Sequence, residues 1–475
     1  MGDERTSLQY GLWASPISPQ RLAAGIRLSD VAWDSDGETL VWLEGRSDRG
    51  VLVCLPTGGD APRDVTSELS VRARVGYGGG DFSVAGGHVY FVEASGRLYR
   101  QPLSSGPAVP LTPGFGAVAA PTVSPDQRWV LFVHTYEGRD CLAMVDTAGE
   151  MWPQKLVVDA DFYMQPCWHP QGDWLAWVAW RHPQMPWEGS LLQIGKLTKG
   201  ESVPRLTDIK TLAGSETVGI FQPVFSPDGR HLAYIANPSG WDDLYLYDLQ
   251  GDTHRVLVEK QGDLGQPAWI QGMRTYGFRH DGKVLYYLRN EQGFRRLWSC
   301  DLEQGAITEC HQALTSYTFL EQPALSSTRN ALACIASAAT QPSRILTVQF
   351  DQGGRERVCG RSTSESVSPD ELATPQAITW MADQAIIHGL FYRPTSTRFR
   401  GIGKPPAIVM IHGGPTSQAV ASFQPNVQFF ATRGYAVLQV NYRGSTGYGK
   451  AYVDALRGQW GIADVEDAVS GARHL

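Results

Sequence analysis

The sequence holds no apolar run approaching the ~18 residues of a membrane-crossing helix. Its most apolar stretches, such as Ala407-Ile-Val-Met-Ile411, are strand-sized. The start, Met1-Gly-Asp-Glu-Arg, is charged and carries no apolar leader. No membrane association is expected, and the expected compartment is the cytoplasm. Cysteine is scarce: seven residues, an odd number, widely spaced, with no C-x-x-C. Such thiols read as reduced packing residues rather than a disulfide framework or zinc site. No H-E-x-x-H run or carboxylate cluster occurs, so no metal is expected. No cofactor is expected either: Gly76 to Gly80 is glycine-rich but lacks the Gly-Lys-Ser/Thr ending of a phosphate loop. An excess of positive charge is also missing. Forty-one basic side chains face 48 acidic ones, a net charge of −7, which argues against a nucleic-acid partner held by phosphate neutralisation.

What is abundant is glycine (51), proline (29) and tryptophan (15), in a chain with 42% apolar and 19% charged residues. This is a globular, turn-rich composition. Self-similarity organises it. Pro223-Val-Phe-Ser-Pro-Asp-Gly-Arg-His-Leu-Ala-Tyr234 recurs as Pro121 to Phe132, Pro166 to Trp177 and Val31 to Trp42. Weaker copies start near Phe82, Phe278 and Pro323. Each copy is a strand, a tight turn and an alternating strand. Proline presets φ in the turn and glycine accepts its positive φ. Seven such units at 40- to 57-residue spacing predict a β-propeller over residues 26–360, behind an N-terminal arm at 1–25; seven blades is the best count, and the degenerate second, sixth and seventh copies leave six or eight open.

The period stops after residue 360. Residues 361–376, rich in serine, read as a linker. Residues 377–475 alternate strands and helices, which predicts a parallel α/β sheet. Ala407–Ile411 and Ala436 to Asn441 are continuous apolar strands of the kind covered on both faces. Phe423, Val427, Phe430 and Ala431 stand at helical spacing. Ile462 to Leu475 is a second helix, with Val465, Ala468, Val469, Ala472 and Leu475 forming its apolar stripe.

The sharpest chemical signal is His412-Gly413-Gly414-Pro415 at the end of an apolar strand. Glycines there let backbone N–H groups approach a reacting oxygen. Gly413 and Gly414 are therefore candidate oxyanion-hole donors, which stabilise the charge developing on a carbonyl oxygen in acyl transfer. His412 leads the loop and is expected, with Pro415, to shape it rather than to act as a base.

Four stretches carry a family resemblance. They are Tyr10-Gly-Leu-Trp-Ala-Ser-Pro16, Arg72-Ala-Arg-Val-Gly-Tyr-Gly-Gly-Gly80, His412 to Pro415, and Asn441-Tyr-Arg-Gly-Ser-Thr-Gly-Tyr-Gly449 with Gly458 to Asp464 and Asp467. The chain resembles the prolyl oligopeptidase family of serine peptidases, in its acylaminoacyl-peptidase and dipeptidyl-aminopeptidase-like branch. The resemblance implies a mainly β chain: a seven-bladed β-propeller followed by the N-terminal half of an α/β-hydrolase domain. It also implies hydrolysis of a peptide substrate through an acyl-enzyme, with the propeller gating access along a narrow tunnel. Trp174, Trp177, Trp180 and Trp187 either line that tunnel or pack between blades.

The sequence departs from this family in lacking any G-x-S-x-G. Ser445 would sit in a loop and not on a strand-to-helix elbow. The catalytic serine, acid and base are thus expected outside these 475 residues, in a missing C-terminal hydrolase half. The chain alone is expected to be inactive, with the Ala407–Ile411 edge left unpaired. A stand-alone propeller that binds a peptide or protein is the alternative reading, and an esterase on the same frame a third.

Overall fold

Each Ser-Pro-Asp-Gly turn closes on itself. In the computed structural model, Ser226 Oγ donates to Asp228 Oδ1 (2.6 Å) and accepts from His231 N (3.0 Å), while Gly229 N donates to Ser226 O. Ser124 and Asp126 repeat this pattern in another copy. The structure describes residues 5–23, 25–198, 203–310, 313–382, 384–414 and 416–475. Among them, strands between Arg27 and Arg361 form seven four-stranded antiparallel units, the blades of a propeller. Their innermost strands are Arg27–Trp33, Phe82–Ala85, Ala117–Val123, Phe162–Trp168, Ile220–Phe225, Tyr276–Phe278 and Phe319–Leu325. Blades 6 and 7 share one parallel bridge, Arg295 to Phe319.

The ring closes without strand exchange. Blade 7 packs on blade 1 through a shared core of Val31, Trp42, Ala333, Ile335 and Ile345. Trp33 Nε1 donates to Ala324 O (3.0 Å) and Ser326 Oγ to Gly37 O (2.7 Å) across the seam. Alternation within the strands puts apolar side chains on both faces of each blade, so neighbouring blades bury one another. Trp177 is fully buried in this way, and Trp180 stacks on Phe162. The cysteines are all unpaired. Burial pushes the thiols of Cys167 and Cys334 up to about 12.

The α/β region has the strand order Pro375–Ala382, Ala385–Tyr392, Ala436–Asn441, Ala407–Ile411. Only the last pairing is parallel; the other two are antiparallel. The expected parallel sheet is therefore mixed, because only two residues separate the first two strands, too few for the crossover that a parallel pair needs. The Ala436–Asn441 strand is wholly buried, as expected for a covered strand, whereas Ala407–Ile411 is an edge strand with exposed ends. The first helix spans Pro425–Ala431, so Phe423 precedes it. The last helix spans Ala463–His474 but buries a different stripe from the one expected. Ala463, Asp467, Ala468 and Gly471 face the sheet, while Val465 and Val469 remain 53% and 44% exposed. Gly471 allows close approach to Trp380 and Leu438, and Asp467 pairs inward with Arg443. Small and paired residues thus occupy the inner face.

The N-terminal arm crosses to the α/β region. Thr6–Ser7 pairs in parallel with Phe399–Arg400, and Trp13 is buried against Phe399. Between the propeller and the sheet, Glu365 is forked by Arg344, with Nε to Oε1 at 2.6 Å.

Candidate active-site loop

The Ala407–Ile411 strand runs in register with Ala436–Asn441, so the loops following both strands emerge side by side. Gly413 and Gly414 sit at this end of the sheet and are exposed. A methyl group added to either would meet nothing within 4 Å, so a reacting group has room beside both. Gly414 adopts φ +74°, a conformation costly for other residues. Pro415 lies outside the described residues.

His412 is held on three sides. Its ring stacks on Tyr442 at 4.6 Å, its Nδ1 lies 3.2 Å from Gly413 O, and its Nε2 lies 2.8 Å from Ser445 Oγ. Tyr442 Oη donates to the His412 carbonyl (3.0 Å). Burial lowers the histidine's pKa, which favours the neutral ring. A neutral ring facing a carbonyl at Nδ1 carries its proton there, so Nε2 accepts from the Ser445 hydroxyl. The contact copies one half of a serine–histidine catalytic pair, yet lacks what such a pair needs. No carboxylate among the described residues bonds His412 Nδ1, and Ser445 has no exposed surface. Ser445 sits inside a turn, with its N–H on Tyr442 O.

Two further ties were not legible in the sequence. Buried Asn441 accepts from Ala419 N (2.7 Å) and donates to Ala419 O and Tyr448 Oη, joining the two loops. Trp269 of the propeller donates from Nε1 to Thr416 O at 2.8 Å. The adjacency of the two parallel strands could have signalled the first tie; nothing local signals the second.

On the propeller side, Gln271 to Arg274 crosses the axis of the ring. Gln271 N donates to Gly78 O before blade 2, and Gln271 Nε2 to Tyr163 O in blade 4. Gln165 of blade 4 donates to Met273 O. Arg274 N–H meets Gln322 Oε1 of blade 7, and its guanidinium grips Asp30 of blade 1 at 2.6 Å. The next residue, Thr275, donates its N–H to Gln222 of blade 5. The segment thus ties blade 6 to five other blades across the inner end of the ring. Of the four tryptophans considered for a tunnel lining, Trp177 is fully buried and Trp187 packs on Trp269, two residues before this segment, at 4.5 Å.

A cavity of about 160 Å³ separates the two regions off the axis, lined in part by Asp242, Asp263, Asn290, Arg295 and Lys450. Asp263 accepts the Gly449 N–H (3.3 Å) across it. Burial first, then the charge of Asp263, holds the Asp242 carboxyl above the usual carboxylate range.

The model of the prolyl oligopeptidase family matches residues 421–475. The crystal structure of a puromycin hydrolase superposes with a TM-score of 0.88 at 30% identity, covering 99% of this chain and 74% of that one. A puromycin-hydrolyzing peptidase of Mycobacterium tuberculosis gives 0.88 at 28%, covering 99% and 75%. Dipeptidyl-peptidase 5 of Aspergillus fumigatus is 26% identical over 264 residues, 52% of this chain and 34% of that protein. The matched stretches thus span about a third of the length of such curated relatives.

Proposed function

Because the chain belongs to the prolyl oligopeptidase family, we propose that it supplies the propeller and the oxyanion-binding loop of a serine peptidase acting on short peptides, and that the 475-residue chain alone is inactive. The observation that carries this reading is the open space beside Gly413 and Gly414 at the end of a sheet strand. N–H groups there can receive a carbonyl oxygen as it gains negative charge, worth ~3 kcal/mol per donor. The serine would come from a G-x-S-x-G elbow, which this sequence lacks, and its acid and base partners from the same missing hydrolase half. In that chemistry the serine oxygen adds to the peptide carbonyl and its proton passes to the histidine. The amine leaves with that proton, and water then frees the acyl group. The buried Ser445–His412 contact gives no substitute, because no substrate reaches Ser445.

The Ala407–Ile411 edge, whose outer side has no neighbouring strand among the described residues, offers a docking face for the absent half together with exposed Val465 and Val469 on the last helix. In this reading the propeller gates the access of short peptides to the loop. The test is a fluorogenic peptide assay. The chain alone is expected to show no turnover. Joined to a hydrolase segment bearing the G-x-S-x-G serine, it is expected to show turnover blocked by a serine-directed phosphonate; Gly414→Ala, which strains the φ +74° backbone that aims the N–H by about 1–2 kcal/mol, is expected to lower that turnover by on the order of tenfold. Phosphonate-sensitive turnover by the 475-residue chain itself would overturn the reading.

A further inference from the structure

Tyr77 is 74% exposed, yet the backbone that carries it is tightly held. Gly78 N donates to Val75 O to close the turn around it, and Gly79 bridges in parallel to Gln271 of the axial segment. A methyl group on Gly79 would lie 2.5 Å from Gln271 O, and one on Gly80 2.8 Å from Ala120 N. Both residues have positive φ, so only glycine permits this approach. A large aromatic ring is thereby presented to open space from a rigid support. Its ring meets Trp269 edge-on at 5.5 Å, and Trp269 in turn packs on Trp187. The Trp269 indole N–H reaches Thr416 O, two residues beyond Gly414. Three separate propeller loops thus converge on an aromatic ledge pinned to the loop that would hold the reacting carbonyl.

We infer that Tyr77, Trp269 and Trp187 form a substrate-specificity ledge that takes an aromatic side chain of the peptide beside the scissile bond. Aromatic rings add edge-to-face and offset-stacked contacts to area burial, so the ledge discriminates a benzyl side chain from a methyl one. The placement rests on the peptidase reading above; the binding it predicts does not require hydrolysis.

The experiment uses the 475-residue chain and two probes, N-acetyl-phenylalaninamide and N-acetyl-alaninamide. Binding is followed by tryptophan fluorescence and by ligand-observed saturation-transfer NMR. The phenylalanine amide is expected to bind at least about fivefold more tightly. Tyr77→Ala is expected to bring the ratio near one, and Tyr77→Phe to preserve it. Equal affinities in the unmodified chain, failure of both amides to bind up to their solubility limits, or an unchanged ratio in folded Tyr77→Ala would each overturn the ledge. If the ratio behaves as expected but no hydrolase segment restores turnover, the ledge stands and the peptidase reading falls.

Discussion

Asp81 shows how one residue near the axis sets a pH response. Burial pushes its carboxyl up to about 6. The Ala73 N–H, which donates to it at 2.7 Å, pulls it down; the charge of Asp30 raises it, and those of Arg27 and Arg72 lower it. The folded value lies above the ordinary carboxylate range near 4. The native state therefore holds more protons between about pH 4 and 6, and this residue's contribution to stability falls as pH rises through that window. Four histidines held down by burial, His134, His254, His388 and His412, act oppositely. Their native state resists protonation, so stability is lost as pH falls below about 6.5. Comparing Asp81→Asn with the unmodified chain isolates the carboxylate. The variant should be more stable by on the order of 1–2 kcal/mol at pH 7 and indistinguishable near pH 4, read from urea unfolding at each pH.

Among the elements, the Ala407–Ile411 strand and the last helix were read correctly as elements and incompletely as surfaces. The strand's apolar run fits a sheet interior, yet one of its edges has no neighbouring strand among the described residues, and Ile411 is 56% exposed. Of the helix's expected apolar stripe Ala468 is buried, whereas Val465 and Val469 point away from the packed face, where Gly471 and Asp467 serve the close contacts with Trp380 and Arg443. An open apolar edge templates association with another chain. Ile411→Lys is expected to reduce concentration-dependent self-association in light scattering while leaving the far-ultraviolet circular dichroism unchanged. Equal association in the variant would show that this edge is not the sticking surface.

For the whole molecule, the arm and the axial segment connect what the order of the chain separates. The arm reaches the α/β region through Gly11 N to Arg433 O, Ser15 Oγ to Thr432 Oγ1 at 2.7 Å, and Arg433 to Ile17 O at 2.8 Å. The cores shared between neighbouring blades contain no residue of the arm. Removing residues 1–17 should therefore raise amide hydrogen exchange in Pro425–Ala431 and Ala436–Asn441 and leave the central strands Trp129–Tyr136 and Trp174–Trp180 protected. Loss of protection throughout the blades would mean that the arm holds the ring as well.

The repeat was legible because each blade is built from local rules: a Ser-Pro-Asp-Gly turn, an alternating strand and a blade-length period need only neighbours in the chain. His412-Gly-Gly-Pro was legible for the same reason, since strand and glycines adjoin. What remained hidden depends on contacts between residues far apart in sequence. Ser445 meets His412 across 33 residues, Trp269 meets Thr416 across 147, and Arg274 meets Asp30 across 244. Turn chemistry and periodicity decided that there would be seven blades and a glycine loop on a sheet strand. Packing between distant parts of the chain decided that the axial segment ties blades together, that Ser445 is buried against His412 and that Tyr77 stands in the open, because such contacts belong to the assembled molecule and to no single element.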